Sequence, residues 1–291
     1  MPREEAAIAL ELAALSVAEI VDAAGAREAP AIVRRLVEAV AGVPSRRLGK
    51  TLARFDADVA AQGLGAAATA VMHAFGARVD VEGGVPASGA VLVITNHPGA
   101  YDSLATMAVL GRDDVALLAA DRAFLRAMPR VCEQLLFVAD ARTDGSAIAR
   151  AAGLRAALAW LDAGRVLVQY GAGTIEPDAR FGKDGEDVLG PWSQGTGVLA
   201  ARAAKQGVSI VPAFVSGVHS ARAKRLSIVR WAERRGITTL APLLQATLPG
   251  FRDVRVSVRF GAPLAGDALA AAQDHQSRTA LVRAAVLALR P

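Results

Sequence analysis

Through the first 77 or so residues, apolar positions recur at helical spacing and never alternate. Ile8–Leu15 and Ile20 form one such stripe. Ile32, Val33, Leu36, Val37 and Val40 form another. A repeat of three and four residues is that of one helix face, so this stretch predicts helices alone. Gly25 and the run Gly42-Val43-Pro44 are expected to punctuate them, since both residue types break helices. From about residue 78 the pattern changes to short apolar runs of strand length: Arg78–Val81, Val91–Thr95, Val115–Ala119, Leu135–Ala139, Val166–Tyr170, Ser209–Val215 and Val254–Phe260. Helical windows at Ser103–Leu110, Ser146–Asp162 and Trp192–Lys205 separate several of them. Apolar strands alternating with helices predict an α/β fold, a mostly parallel sheet flanked by helices, with ligands at the carboxyl ends of the strands. The expected division is an N-terminal all-helical segment, 1–77, and an α/β domain, 78–291. The stretch Glu176–Pro191, rich in Gly, Asp and Pro, is long enough to be a lid or binding loop.

Composition narrows the class. Of 291 residues, 53% are hydrophobic and 21% charged, enough apolar material for a substantial core and too much for a disordered chain. The mean hydropathy of +0.33 raises the question of a membrane span. The uncharged stretch Val59–Ala77 is mostly Ala and Gly and carries Gln62 and His73, so it reads as a packed or interfacial helix. The start, Met1-Pro2-Arg3-Glu4-Glu5, lacks the basic and apolar runs of a signal peptide. With one cysteine, Cys132, no intrachain disulfide can form; a small buried hydrophobe is the better reading of it than a nucleophile. The expected location is cytoplasmic, with peripheral contact on the cytoplasmic membrane face. Net charge is +5, and only four of the 33 basic residues are Lys. The 29 Arg suit anionic ligands or surfaces, and equally a GC-rich coding bias.

The most informative segment is Ile94-Thr95-Asn96-His97-Pro98-Gly99-Ala100-Tyr101-Asp102-Ser103, at the end of an apolar strand and the start of a helical pattern. A neutral imidazole there can take a proton from a hydroxyl, while a carboxylate sets its tautomer and stabilises the imidazolium. Asp102 also suits the cap of a helix starting near Ser103. A carboxylate has two oxygens, so one can cap while the other holds His97.

Asn-His-x4-Asp after an apolar strand resembles the glycerolipid acyltransferases of the lysophosphatidate and glycerol-3-phosphate type, and similar blocks follow in that family's order over about residues 85 to 218. Leu136-Phe137-Val138-Ala139-Asp140-Ala141-Arg142 is similar to the second block, with one extra residue before the Arg. Tyr170-Gly171-Ala172-Gly173-Thr174-Ile175-Glu176 stands where the third block usually reads Phe-Pro-Glu-Gly-Thr-Arg-Ser. Gly173 and Thr174 match it, but Ala172 replaces the Glu and Ile175 the Arg, two groups the family uses toward a phosphorylated acceptor. Gly190–Ala200 is similar to the family's next helix opening, with Ser193 where a Lys is common. Ile210–Val215 is similar to the fourth block. The resemblance implies transfer of an acyl chain from acyl-CoA or acyl carrier protein to a hydroxyl or amine, with no further cofactor and no metal. It implies His97 as general base oriented by Asp102, with Asn96, Arg142, Gly173 and Thr174 as substrate contacts. Amides near Gly173 or at the Asn96-His97 turn are the expected oxyanion donors. The lost charges argue against simple lysophosphatidate as acceptor. The alternative is a non-catalytic lipid- or acyl-carrier-binding protein that retains the fold.

Other chemistries lack their patterns. Gly171-Ala172-Gly173 begins like a dinucleotide fingerprint, but Glu176 stands at the third Gly and Pro177 where a helix should open. There is no phosphate loop and no Gly-x-Ser-x-Gly elbow. The four His are scattered, which excludes a sequence-local metal cluster. Arg222, Lys224, Arg225, Arg230, Arg234 and Arg235 surround Trp231 against Glu233 alone. Such a run suits anionic headgroups, a carrier protein or an ordinary solvated helix face. With 8 Phe, 3 Trp and 2 Tyr and no recognised binding motif, nucleic acid is not an expected partner.

Overall fold

The computed structural model describes residues 2–99, 101–138, 147–182, 187–235 and 240–291. Three helices open the chain: α1 (Arg3–Ala23), α2 (Ala31–Gln62) and α3 (Leu64–Ala74). Strands β1 (Arg78–Glu82) and β2 (Val91–Thr95) follow, then α4 (Asp102–Val109) and β3 (Val115–Ala120). Two single turns, α5 (Ala123–Arg126) and α6 (Pro129–Cys132), precede β4 (Leu135–Val138), α7 (Ala147–Asp162) and β5 (Val166–Tyr170). Next come α8 (Gln194–Lys205), β6 (Ser209–Ser216), α9 (Ala221–Arg225), α10 (Ser227–Glu233) and α11 (Leu240–Thr247). The chain ends with β7 (Arg255–Phe260), α12 (Gly266–Ala271) and α13 (His275–Leu287). It divides into a helical unit (Met1–Arg78, Arg122–Glu133 and His219–Arg255) and an α/β unit (Val79–Asp121, Gln134–Val218 and Val256–Pro291). Both units are discontinuous in sequence, unlike the contiguous division 1–77 and 78–291 read from the sequence pattern.

The α/β unit is built on a seven-stranded sheet in the order β1-β7-β6-β2-β5-β3-β4. The pairs β2–β5, β2–β6, β3–β5 and β3–β4 are parallel, and β6–β7 is antiparallel, so the mostly parallel sheet expected from the sequence is observed. β2 lies between β5 and β6, and all five of its residues are buried. That is why Val91–Thr95 reads as an unbroken apolar run rather than an alternating one. One face of the sheet packs Leu92, Ile94, Leu167, Ile210 and Phe214 against Leu161 of α7, Leu199 of α8 and Val282 of α13. α8 and α13 approach closely at Gly197, where a Cβ would lie 2.3 Å from the His275 carbonyl.

At the amino ends of three central strands, one side chain ties the entry loops together. Arg112 donates through Nε and Nη2 to Asp114 (2.8 and 2.5 Å), just before β3. It also donates to the carbonyls of Gly89 (2.7 Å), before β2, and Gly164 (3.0 Å), before β5. Most of the Arg112 side chain is buried, so these bonds replace much of the water its guanidinium would otherwise hold.

In the helical unit α1 and α2 run antiparallel. Gly49 permits their close approach, since a Cβ there would stand 2.3 Å from the Ala9 carbonyl. Asp56 of α2 is buried, and its Oδ1 accepts the Arg130 and Val131 amides (2.8 and 2.9 Å) that open α6. One expectation needs correction here. The Gly42-Val43-Pro44 run does not end a helix: α2 continues through it to Gln62. Proline removes one helical donor, and packing along α1 outweighs that loss. The stripe of Ile32, Val33, Leu36 and Val40 lies on a helix as its spacing predicts, and all four residues are exposed. The basic run near Trp231 is partly neutralised: Lys224 pairs with Glu233 at 2.5 Å, and the Arg235 guanidinium lies 4.1 Å over the Trp231 ring. Among the described residues no helix is long and apolar enough to cross a membrane.

Replacing Arg112 by Met should cost about 1–2 kcal/mol, because it removes the donor shared by the Pro86, Gly89 and Gly164 carbonyls, while the partly exposed Asp114 can turn to water. The Arg112 hydrogen bond, and secondarily its charge, hold the Asp114 carboxyl below the usual 3.8. A carboxyl lowered on folding adds stability above its unfolded value that is lost as pH falls through the folded one. Urea unfolding between pH 2.5 and 7 should therefore show a shallower acid limb in Arg112→Met than in the wild type; parallel limbs would contradict this.

Candidate functional site

The segment beginning at Asn96 leaves the carboxyl end of β2, where β5 and β6 flank it. Asn96 holds the turn to β6: its side-chain Oδ1 accepts the Val215 amide (2.7 Å) and its Nδ2 donates to the Val215 carbonyl (2.8 Å). Both ends of the amide group are thus spent on a backbone, and the side chain is fully buried. Asn96, expected to contact substrate, is thus engaged with the backbone of β6 in this structure. It continues the β2–β6 pairing with a side chain where the main chain turns away.

His97 and Asp102 meet. Nδ1 of His97 and Oδ2 of Asp102 are 2.6 Å apart; the Asp102 side chain is 2% exposed and that of His97 26%. The same Oδ2 accepts the Gly99 amide (2.8 Å), while Oδ1 accepts the Ser103 amide (2.5 Å) and hydroxyl (3.2 Å). An ionised carboxylate only accepts, so the imidazole proton belongs on Nδ1 and the lone pair on Nε2. Gly99 makes the turn possible. Its φ of +79° is left-handed, and a Cβ would stand 3.2 Å from Ile175. Asp102 is the first residue of α4 rather than the residue before it, and there a negative charge favours the helix N-terminus.

Two further residues support the pair, and the sequence reading did not assign them a role. Tyr170, at the end of β5 and in register with Thr95, stacks beneath the imidazole with centroids 4.3 Å apart and planes 29° apart. Its hydroxyl donates to Ser103 Oγ (2.8 Å), which in turn donates to Asp102. Burial, and secondarily the charge of Asp102, push the Tyr170 hydroxyl well above its ordinary value, so it stays a donor. Glu176 is the other brace. Its Oε2 accepts the His97 amide (2.9 Å), and its own amide donates to the His97 carbonyl (2.7 Å). Its Oε1 accepts the Gly190 amide and Trp192 Nε1, both at 3.0 Å. Burial pushes the Glu176 carboxyl up from the usual value, against those three donors and the nearby imidazole, which favour its charged form. The only sequence signal for Glu176 was an acidic residue breaking a glycine fingerprint.

The glycines of that stretch have separate reasons. Gly171 lies against Trp192, where a Cβ would come within 2.2 Å of the ring. Gly173 has a φ of +64°, is exposed, and spends its amide on the Tyr170 carbonyl (3.2 Å). Thr174 is also exposed. Of the amides at the Asn96-His97 turn and near Gly173 expected as oxyanion donors, those of His97 and Gly173 are engaged. Those of Thr174 and Ile175 make no hydrogen bond to the described residues. Of the three positions where the resembled family carries charge, Ala172 is buried, Ile175 lies exposed against Gly99, and Ser193 caps α8 by accepting the Gly195 amide. Arg142 lies outside the described residues. Among those residues, no group of three or more His, Cys, Asp or Glu gathers as a metal site.

No family model matches the chain, and no curated protein is similar to it. Among solved structures it is similar to the 1-acyl-sn-glycerophosphate (LPA) acyltransferase PlsC from Thermotoga maritima. The TM-score is 0.48 at 15% identity, over 84% of this chain and 81% of that one.

Glu176→Gln keeps the volume but turns one acceptor into a donor facing a buried N–H, and should lower stability by about 1.5–3 kcal/mol. Gly171→Ala should drive Trp192 off Glu176 and red-shift the emission of that tryptophan, read in a Trp160→Phe/Trp231→Phe background. An unchanged melting temperature in the first variant, or an unchanged spectrum in the second, would refute this account of the brace.

Proposed function

We propose that the protein is an acyltransferase that moves an acyl chain from a thioester, acyl-CoA or acyl carrier protein, to a hydroxyl or amine. The observation that carries this reading is the His97–Asp102 pair: an imidazole at a strand end with its Nδ1 bound to a buried, fully hydrogen-bonded carboxylate. Its motif resembles that of the glycerolipid acyltransferases. His97 Nε2 takes the acceptor proton as the acceptor oxygen or nitrogen attacks the thioester carbonyl carbon. The tetrahedral intermediate then expels the thiolate, which takes the proton back from the imidazolium and leaves as the thiol. Asp102 keeps the tautomer that exposes the basic nitrogen and stabilises the imidazolium between the two transfers. The amides of Thr174 and Ile175 are the candidates for the developing oxyanion, since their donors are unspent. Tyr170 and Glu176 hold the imidazole and its loop in place.

The acceptor, in this reading, is not lysophosphatidate or glycerol-3-phosphate. Ala172, Ile175 and Ser193 supply no charge where a phosphate-binding relative would, and a charged hydrogen bond to an anionic acceptor contributes on the order of 1.5–3 kcal/mol. A neutral hydroxyl or an amine fits the exposed Ile175 beside Gly99 better.

Thiol release from acyl-CoA across a panel of acceptors tests both parts. His97→Ala should lower turnover about 10³-fold or more while the protein stays folded, and Asp102→Asn should lower it strongly as well. Wild-type turnover in folded His97→Ala would end the general-base reading, and no turnover with any donor would favour a non-catalytic binding protein. Micromolar preference for lysophosphatidate would overturn the acceptor assignment alone.

A further inference from the structure

The last helix of the α/β unit reaches the loop that braces His97. Arg283 of α13 donates through Nη2 to the Leu189 carbonyl (2.5 Å) and through Nε to the Gly190 carbonyl (3.1 Å). The same Nη2 donates to Asp187 Oδ2 (2.6 Å), while Asp187 Oδ1 accepts the Leu189 amide (3.0 Å). Residues 187–193 form neither helix nor strand, so no ladder satisfies their main-chain groups. Pro191 has no amide to give. Side chains supply the partners instead, and Val188, Leu189 and Trp192 are buried in the core.

One peptide in this segment is gripped at both edges. The carbonyl of the Leu189–Gly190 peptide is held by Arg283, and its N–H donates to Glu176 Oε1 (3.0 Å). A peptide is planar, so whatever fixes its oxygen also fixes the direction of its N–H. The other oxygen of Glu176 accepts the His97 amide (2.9 Å). We infer that Arg283 is a positioning residue for His97: it sets the plane of the Leu189–Gly190 peptide, and through it the Glu176 carboxylate that holds the His97 amide. Glu176 Oε1 has two donors, the Gly190 amide and Trp192 Nε1, and both belong to the stretch that Arg283 pins. If that peptide turns, a buried carboxylate loses a donor and must rotate to find another. Oε2 then leaves the His97 amide, and the imidazole moves with its main chain. The pair with Asp187 adds little, since the Asp187 side chain is 51% exposed. The two carbonyl bonds carry the effect.

The test uses the full chain and reads proton resonances, which report the folded state whatever its stability. In Arg283→Met the His97 amide and the Trp192 indole N–H should both move upfield, as their bonds to Glu176 lengthen. The Leu117 amide, bonded to Gln134 within the same sheet, should stay in place. Glu176→Gln should also move the His97 resonance, and adding Arg283→Met to it should move that resonance no further, since both act by one route. Arg283→Lys keeps the charge without the fork and gives a milder variant with the same selective effect. In thiol-release assays, which rest on the acyltransferase reading, Arg283→Met should lower kcat roughly tenfold with KM within about twofold. A lower melting temperature with the His97 resonance unmoved would overturn the inference, because Arg283 would then be a structural strap only. So would a further shift in the double variant, or a loss confined to KM. A wild type that transfers no acyl group from any donor would end the acyltransferase reading, and the resonances would still decide this one.

Discussion

The carboxylate of Asp102 is the constraint around which the candidate site is arranged. A buried anion must be satisfied on both oxygens or it protonates. Here four donors converge on it: the imidazole Nδ1, the amides of Gly99 and Ser103, and the Ser103 hydroxyl. Each fixes something else. The Gly99 amide can point inward only because the chain turns left-handed there. The Ser103 amide sets where α4 begins, and the imidazole is left with one tautomer.

A second buried carboxylate, Glu176, does for the loop what Asp102 does for the ring. It bonds His97 through both main-chain directions, accepting its amide with the side chain and donating to its carbonyl with the backbone. Its other oxygen reaches Gly190 and Trp192, so the segments after β2, after β5 and before α8 converge on one acid. The donors oppose the cost of burying the charge, and burial wins, since the carboxyl stays above its usual value. Glu176, four residues beyond Ala172, is thus the charged group that braces this loop.

The two units use apolar residues differently. In the α/β unit, strands buried on both faces leave little choice of side chain, and the runs are continuous. In the helical unit Leu12, Phe55 and Met72 are buried, and Gly49 lets α2 lie close against Ala9 and Ala13. Large aliphatics are then left over on the outer face of α2. Hydrophobic spacing identifies a helix face but does not say what it faces.

Much was legible in the sequence. Every strand of the sheet was, because apolar runs of strand length bounded by turn residues have few other uses in a chain whose helices alternate with them. Asn-His-x4-Asp at the end of such a run also marked the site, since β2 places its carboxyl end where parallel sheets gather chemistry. Continuity of α2 through Pro44 was not legible, because local propensity cannot count the packing along α1 that offsets a missing donor. Nor were the roles of Asn96, Tyr170 and Glu176. Asn96 bonds at both ends of its amide to Val215, 119 residues away, a pairing that sequence spacing does not show. Tyr170 lies beneath His97 only because β5 pairs with β2, and Glu176 touches it only because the β5 loop folds back over that turn. Residue types and their spacing determined which elements form and that His97 and Asp102 share one turn. Strand order and close packing decided which distant donors and acceptors meet them, because a hydrogen bond depends on position to within tenths of an ångström and not on distance along the chain.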